Sequence, residues 1–290
     1  MANTITYNKH DYVMRLRDRI NQPTTWKEVL NVKYSNTRTI VNSSMTLASE
    51  AVLASGTRGS AYTYDDIVLA ADTLTISTYN VIPMFVDEAD RFQQTYVDQM
   101  GIADYQAQKT NEKLEALTLA EHASWTDFGV TDLNNTGDDD TTAITVSASN
   151  VDDIVRAIKR KIYSNNGVEF ATEKGIFIVW RPEDFEFLEA FVQANGFTEA
   201  DIALKNGIPV ARAFKYLGVE HYLSTNHTAN HVFAGVKRMG ELGILQGTFG
   251  KVKFIEDPAK ISGLGIVSRV DHGFNWPTYN KEFFMDINVA

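Results

Sequence analysis

Between Tyr34 and Tyr79 the chain is crowded with serine and threonine, and alternating β-type runs, Thr37 to Val41 and Leu74 to Tyr79, flank a glycine turn, GTRGS, at Gly56 to Ser60. The pattern draws a long two-stranded arm. An isolated hairpin of this polarity buries too little apolar surface to offset the entropy of ordering it. Such a stretch is disordered, or lies on a neighbouring molecule, or folds back as an ordinary meander on its own domain. Each outcome constrains the rest of the chain.

After the arm comes the longest proline-free, helix-favouring segment, FVDEADRFQQTYVDQMGIADYQAQKTNEKLEALTLAEHASW, from Phe85 to Trp125. Asp87 reads as its N-cap, with Glu88 and Asp90 adding negative charge at the positive end of the helix dipole. Gly101 is expected to break the run, leaving a short helix ending near Met100 and a longer one from about Ala103 to Trp125, roughly 30 to 35 Å at 1.5 Å per residue. On that longer piece Ala103, Ala107, Leu114 and Leu117 form one thin stripe, and Ala116, Ala120 and Ala123 a second. Two small-residue faces suit a spine lying across a sheet with another subunit behind it.

Ahead of the arm, Tyr12, Val13, Leu16 and Ile20 predict a short amphipathic helix over Lys9 to Asn21, ended by Pro23. Beyond the spine, GVTDLNNTGDDDTT reads as a solvated turn with an acidic tip. Its successive aspartates lack the alternating ligand spacing of a calcium loop. Asn150 to Tyr163 is the clearest amphipathic helix, with Val151, Ile154, Val155, Ile158 and Ile162 on one face. A buried strand comes next at Gly175 to Trp180, and Pro182 opens a helix that turns Phe185, Leu188 and Val192 inward. Strands are expected at Val219 to Leu223, His231 to Val236, Val252 to Ile255, Ile266 to Val270 and Phe283 to Ile287. The succession is α+β.

Acidic residues outnumber basic ones by 37 to 27, a net charge of -10, which argues against a protein whose task is gripping nucleic acid. The absence of cysteine removes disulfides, thiolate chemistry and sulfur metal sites. No apolar run is long enough to span a bilayer, and the N-terminus lacks the order of a secretory signal, so an intracellular origin is expected.

No G-x-S-x-G, H-E-x-x-H or phosphate-cradling G-x-x-x-x-G-K occurs. Catalytic, cofactor-binding and metal residues are therefore expected to be absent. The best metal candidate is His227 and His231 with His221 nearby, which would make a metal-dependent hydrolase. The segment STNHTANH reads as a turn between strands, however, where that spacing brings no convergence.

The order of parts carries a resemblance. LTISTYNVIPMFVDEADRFQQ leading into the spine, the WRPEDFEFL strand-to-helix step, the KNGIPVARAFKYLGVEHYLSTN passage and the terminal VDHGFNWPTYNKEFFMDIN together resemble the major capsid protein of tailed bacteriophages, the Hong Kong-type shell fold. The resemblance implies an N-terminal arm over 1–32, an extended loop over 33–81 and a peripheral domain with the spine helix over 82–148. An axial domain over 149–263 and C-terminal strands of the peripheral domain over 264–290 complete it. It implies a structural protein, not an enzyme, that assembles in the host cytoplasm and resides in the virion. Its copies would form hexamers and pentamers of an icosahedral shell around double-stranded DNA that they do not read by sequence. The implied partners are a separate scaffolding protein, because no long charged segment precedes the arm, together with a portal protein and cement or decoration proteins. An encapsulin-type compartment enclosing a cargo enzyme shares the fold and is the alternative.

Arg38 and Arg58 are the only basic residues of the arm. Arg58, at its tip, is expected to meet Asp87, Glu88 or Asp90 on an adjacent spine, or else to be a solvated arginine. Some members of the family cross-link through a loop lysine. This chain has no lysine between Lys33 and Lys109, so a non-covalent shell is expected.

Overall fold

The computed structural model describes residues 25–45, 69–87, 96–195, 214–247, 252–256, 263–277 and 282–290. The N-terminal helix expected over Lys9 to Asn21 and the GTRGS turn lie outside these residues.

Two sheets and a long helix organise the chain. The first sheet is built on β12 (Gly263–Asn275), which carries β4 (Thr78–Asp87) antiparallel along one edge. Along its other edge lie β11 (Val252–Glu256) and then β10 (Glu241–Leu245), with β1 (Asn31–Ser35) parallel to β10 outside it. Among the described residues β4 has no second partner strand, which explains how it tolerates Pro83 opposite Val267: an edge strand loses no ladder bond on its free side. The second sheet runs β5 (Thr126–Phe128), β13 (Phe284–Asn288), β9 (His231–Val236), β6 (Ile176–Trp180), β8 (Val219–Leu223) and β7 (Phe214–Tyr216). β6 is buried along its whole length, as its unbroken apolar run requires.

The helices expected at Asn150 to Tyr163 and from Pro182 fall where their periodicity puts them. Short α1 (Trp26–Val29) precedes β1, the spine is α2 (Tyr96–Ala120), and α3 (Val130–Asn134) lies in the acidic loop. α4 (Val151–Ser164) buries all five expected apolar residues, α5 (Val168–Lys174) comes next, and α6 (Pro182–Asn195) buries Phe185, Leu188 and Val192. Where the spine ends, Trp125 stacks on Phe233 at 3.7 Å, and Trp276 meets Phe284 edge-on at 4.9 Å, joining the two sheets in one core.

Two expectations are corrected. Asp87 is the last residue of β4, opposite Gly263, and not a helix cap, because ten consecutive pairings with β12 outweigh a local capping preference. Gly101 does not break the spine, which runs unbroken from Tyr96 to Ala120, about 37 Å at 1.5 Å per residue. A helical glycine costs only about 1 kcal/mol relative to alanine. Within 264–290, β12 lies in the first sheet and β13 in the second, while β10, within 149–263, pairs with β12.

Of the expected stripe residues on the spine, Leu114 is buried and Ala116 and Leu117 are half-buried, while most of the inward face is made by others. Gln106, Thr110, Leu114 and Thr118, four apart, face inward with Glu115 and Leu119, whereas Ala107, Ala120 and Ala123 are exposed. The threonines can be buried because their hydroxyls donate back one turn, Thr110 to the Gln106 carbonyl and Thr118 to that of Leu114, each at 2.8 Å.

Candidate assembly surface

Among the described residues β2 (Thr39–Met45) and β3 (Leu69–Thr75) pair only with each other, antiparallel and in register from Thr39 opposite Thr75 to Met45 opposite Leu69. This two-stranded sheet is the described part of the arm. Its root is anchored in two ways. A polar clasp joins Lys33 to Asn42 (2.7 Å) and to Glu241, and Asn275 donates to Asp72 at 2.8 Å. Beside it, Leu74 and Ile76 are buried over a notch where Gly243 and Gly273 stand opposite each other on β10 and β12. A β-carbon at Gly273 would lie 2.1 Å from the Thr75 carbonyl oxygen, and one at Gly243 2.9 Å from the Leu74 side chain. Only glycines let the arm cross the sheet this closely.

Around its root the arm presents apolar surface to solvent. Val41 is 64% exposed, and on β4 Tyr79 (59%) and Val81 (43%) alternate outward. The Arg269 guanidinium sits 4.5 Å from the Tyr79 ring while gripping Asp271 through two hydrogen bonds of 2.5 and 2.9 Å. Arg38 is at the bend between β1 and β2, largely exposed, with a guanidinium nitrogen 4.0 Å from Asp271 of its own chain. Arg58, Glu88 and Asp90 lie outside the described residues. Of the five residues expected at subunit contacts, the structure thus places Arg38 beside the arm root and the backbone of Asp87 at the end of β4.

The segment leading into the arm is held by a buried acid that sequence reading missed. Glu115, on the inner face of the spine, accepts hydrogen bonds from the backbone N–H of Thr25 (2.9 Å) and Trp26 (3.0 Å) and from the Thr25 hydroxyl. It thereby caps α1 from across the fold. Burial pushes its carboxyl above the usual carboxylate range, against the opposing pull of these donors.

The acidic loop is also more ordered than a solvated turn. Asp132 is buried and accepts from the backbone N–H groups of Gly129 (3.1 Å), Asp139 (3.2 Å) and Asp140 (2.9 Å). Lys161 of α4 reaches it at 2.6 Å and Asp139 at 2.9 Å. Burial opposes the charge on Lys161, yet the two carboxylates hold its pKa above the ordinary value.

The histidines do not converge as the hydrolase reading requires. His221 is fully buried in β8, where its Nδ1 accepts from the Trp180 indole N–H at 2.8 Å, and burial depresses its pKa to about 4. His227 is half-buried in the loop before β9, and desolvation of its ring likewise depresses its pKa to about 4. His231 instead faces Asp286 and His122. An open cleft of roughly 530 Å³ is lined by Arg156, Lys159, Arg160, Tyr163, Ser164 and Leu217. Its cations are already engaged, Arg156 with Asp152 at 2.6 Å, Lys159 with the Leu217 carbonyl at 2.6 Å and Arg160 with that of Asp132 at 2.5 Å.

No protein-family model matches the chain, and no curated protein matches it in sequence. Solved structures do. A chain from Mycobacterium phage Che8 superposes with a TM-score of 0.68 at 14% identity, covering 99% of this chain and 97% of that one. The capsid of an empty GTA particle gives 0.68 at 10% identity, over 99% and 95%. This chain has the Hong Kong-type shell fold. A virus-like particle from Pyrococcus furiosus matches with a TM-score of 0.56 at 11% identity, over 92% of both chains. At such identities the agreement is one of architecture. In terms of that shell fold, the paired β2 and β3 are the stem of the extended loop, and α2 is the long spine helix. No helix among the described residues is long and apolar enough to cross a membrane.

Proposed function

We propose that this chain is the major capsid protein of a tailed bacteriophage, assembling with copies of itself into an icosahedral shell that encloses double-stranded DNA. The observation that carries the reading is the arm: two strands that, among the described residues, pair only with each other, rooted in a glycine notch, with Val41 exposed along them. A neighbouring subunit would supply the cover that the chain's own described residues do not. The acidic balance suits an inner wall along which packaged DNA slides. Hexamers and pentamers, a scaffolding protein, a portal and external cement proteins belong to this proposal, as does assembly in the host cytoplasm. The peripheral domain would centre on the first sheet with the spine, and the axial domain on the second.

The likeness to the Pyrococcus furiosus particle supports a second reading, an encapsulin-type compartment around a cargo enzyme. Negative-stain microscopy of the purified chain, alone and with a candidate scaffold, tests the shared part. Closed shells are expected, and a chain that remains monomeric under every assembly condition would overturn both readings. Nucleic acid in particles recovered from infected cells supports the virus, whereas a co-purifying enzyme supports the compartment.

A further inference from the structure

His122, His231 and Asp286 come from three separate elements. His122 lies in the 3-10 turn Glu121–Ser124 that ends the spine, His231 opens β9, and Asp286 is central in β13. Their ligand atoms all lie within 4.8 Å of one another. The Nδ1 atoms of both imidazoles face one carboxylate oxygen, Asp286 Oδ2, at 3.4 Å from His122 and 2.8 Å from His231. The two rings stack with centroids 3.8 Å apart. Asp286 is 2% exposed, and its other oxygen, Oδ1, is buried without a hydrogen-bond partner among the described residues. A buried carboxylate oxygen left unpaired is costly, and here it sits in the same group as two imidazoles. Asp127 pairs with Asp286 in register and adds negative charge that acts on both Asp286 and His231. Arg181, whose charge acts on His231, is already held by Asp184 at 2.6 Å and Glu183 at 3.0 Å.

We infer that His122, His231 and Asp286 form a binding site for a divalent transition-metal ion, with zinc the best fit. Two imidazoles and one carboxylate are a borderline donor set that suits zinc or cobalt, while magnesium and calcium favour all-oxygen shells. Tetrahedral ligation at about 2.0–2.2 Å places donor atoms roughly 3.3–3.6 Å apart, so donor atoms that now lie within 4.8 Å of one another would shift by up to about 1 Å, through side-chain rotation, to admit the ion. Three protein ligands leave a fourth position for water, on the side where both imidazoles are partly exposed. The ion would pin the end of the spine to the second sheet. This site differs from the histidine grouping expected from the sequence, sharing only His231 with it, and no catalytic role is attached to it.

The test uses the full chain, stripped with a chelator and titrated with zinc chloride by calorimetry, and with cobalt chloride by visible absorption. The expected result is one ion per chain, a tetrahedral cobalt spectrum and a rise in the thermal midpoint with zinc. The variant His122→Asn, at a partly exposed turn, should weaken zinc binding by at least about 100-fold, since even supporting residues around a metal are worth roughly 10–100-fold. His221→Gln, remote from the site, should leave it unchanged. Absence of stoichiometric binding at micromolar zinc, or equal binding by the His122→Asn chain, would overturn the inference.

Discussion

Replacing Glu115 by alanine should loosen the whole segment that feeds the arm. The carboxylate is 1% exposed and receives two backbone N–H groups and a hydroxyl, while Trp26, whose N–H is one of these donors, is itself fully buried. Without the acid, three donors remain in the core with no acceptor. Each stranded group costs about 1–3 kcal/mol, and a water entering the vacated space recovers part of that, so a loss of about 4 kcal/mol is expected. Against a typical domain stability of about 5–15 kcal/mol, the variant should still fold. Denaturant unfolding followed by tryptophan fluorescence gives the loss, and hydrogen exchange localises it, with amides from Trp26 to Ser35 losing protection before those of β6. Burial opposes the ionised carboxyl, so the acid itself could be close to neutral for stability. A loss below about 1 kcal/mol would show that it is, and would refute the idea that Glu115 holds α1 in place.

The structure sets three further outcomes. Gly273→Ala should destabilise the chain by about 1–3 kcal/mol and impair assembly, since the new methyl meets the Thr75 carbonyl, whereas Gly247→Ala, in open space, should do neither. Stability should fall as pH drops from about 6.5 to about 4, because the unfolded chain protonates His221 and His227 in that window and the folded chain does not. The shifts correspond to about 3 kcal/mol per ring, partly offset by Asp286, whose raised pKa acts in the opposite sense; His221→Gln should remove one ring's share, and an unchanged pH slope would contradict this. Boiled mature particles should give a single band at the 32.4 kDa monomer on a denaturing gel, and a ladder of oligomers would show a covalent cross-link.

The parts of the fold that were legible in the sequence are those whose burial is apolar and periodic. α4, β6 and α6 each announce their inner face through isoleucine, valine, leucine or phenylalanine spacing, and each buries it as expected. The spine was legible as a helix but not in its facing, because Gln106, Thr110, Glu115 and Thr118 are buried through local back-bonding and tertiary hydrogen bonds, which no hydropathy pattern reveals. Asp87 misled for a related reason: a good capping residue had a longer offer from β12. The root of the arm rests on Gly243 and Gly273, thirty residues apart, whose common purpose appears only when β10 lies beside β12. His122 and Asp286 are separated by most of the C-terminal half of the chain, so no motif spacing could have joined them.

Hydrogen–deuterium exchange on the arm, compared between unassembled subunits and closed particles, tests the central claim most directly. If the arm is completed by a neighbouring subunit, the amides of Thr39–Met45 and Leu69–Thr75 should exchange quickly in the free subunit and become strongly protected in the shell, while those of β6 change little. Equal protection of the arm in both states would contradict the account, since the two strands would then be stable without a neighbour.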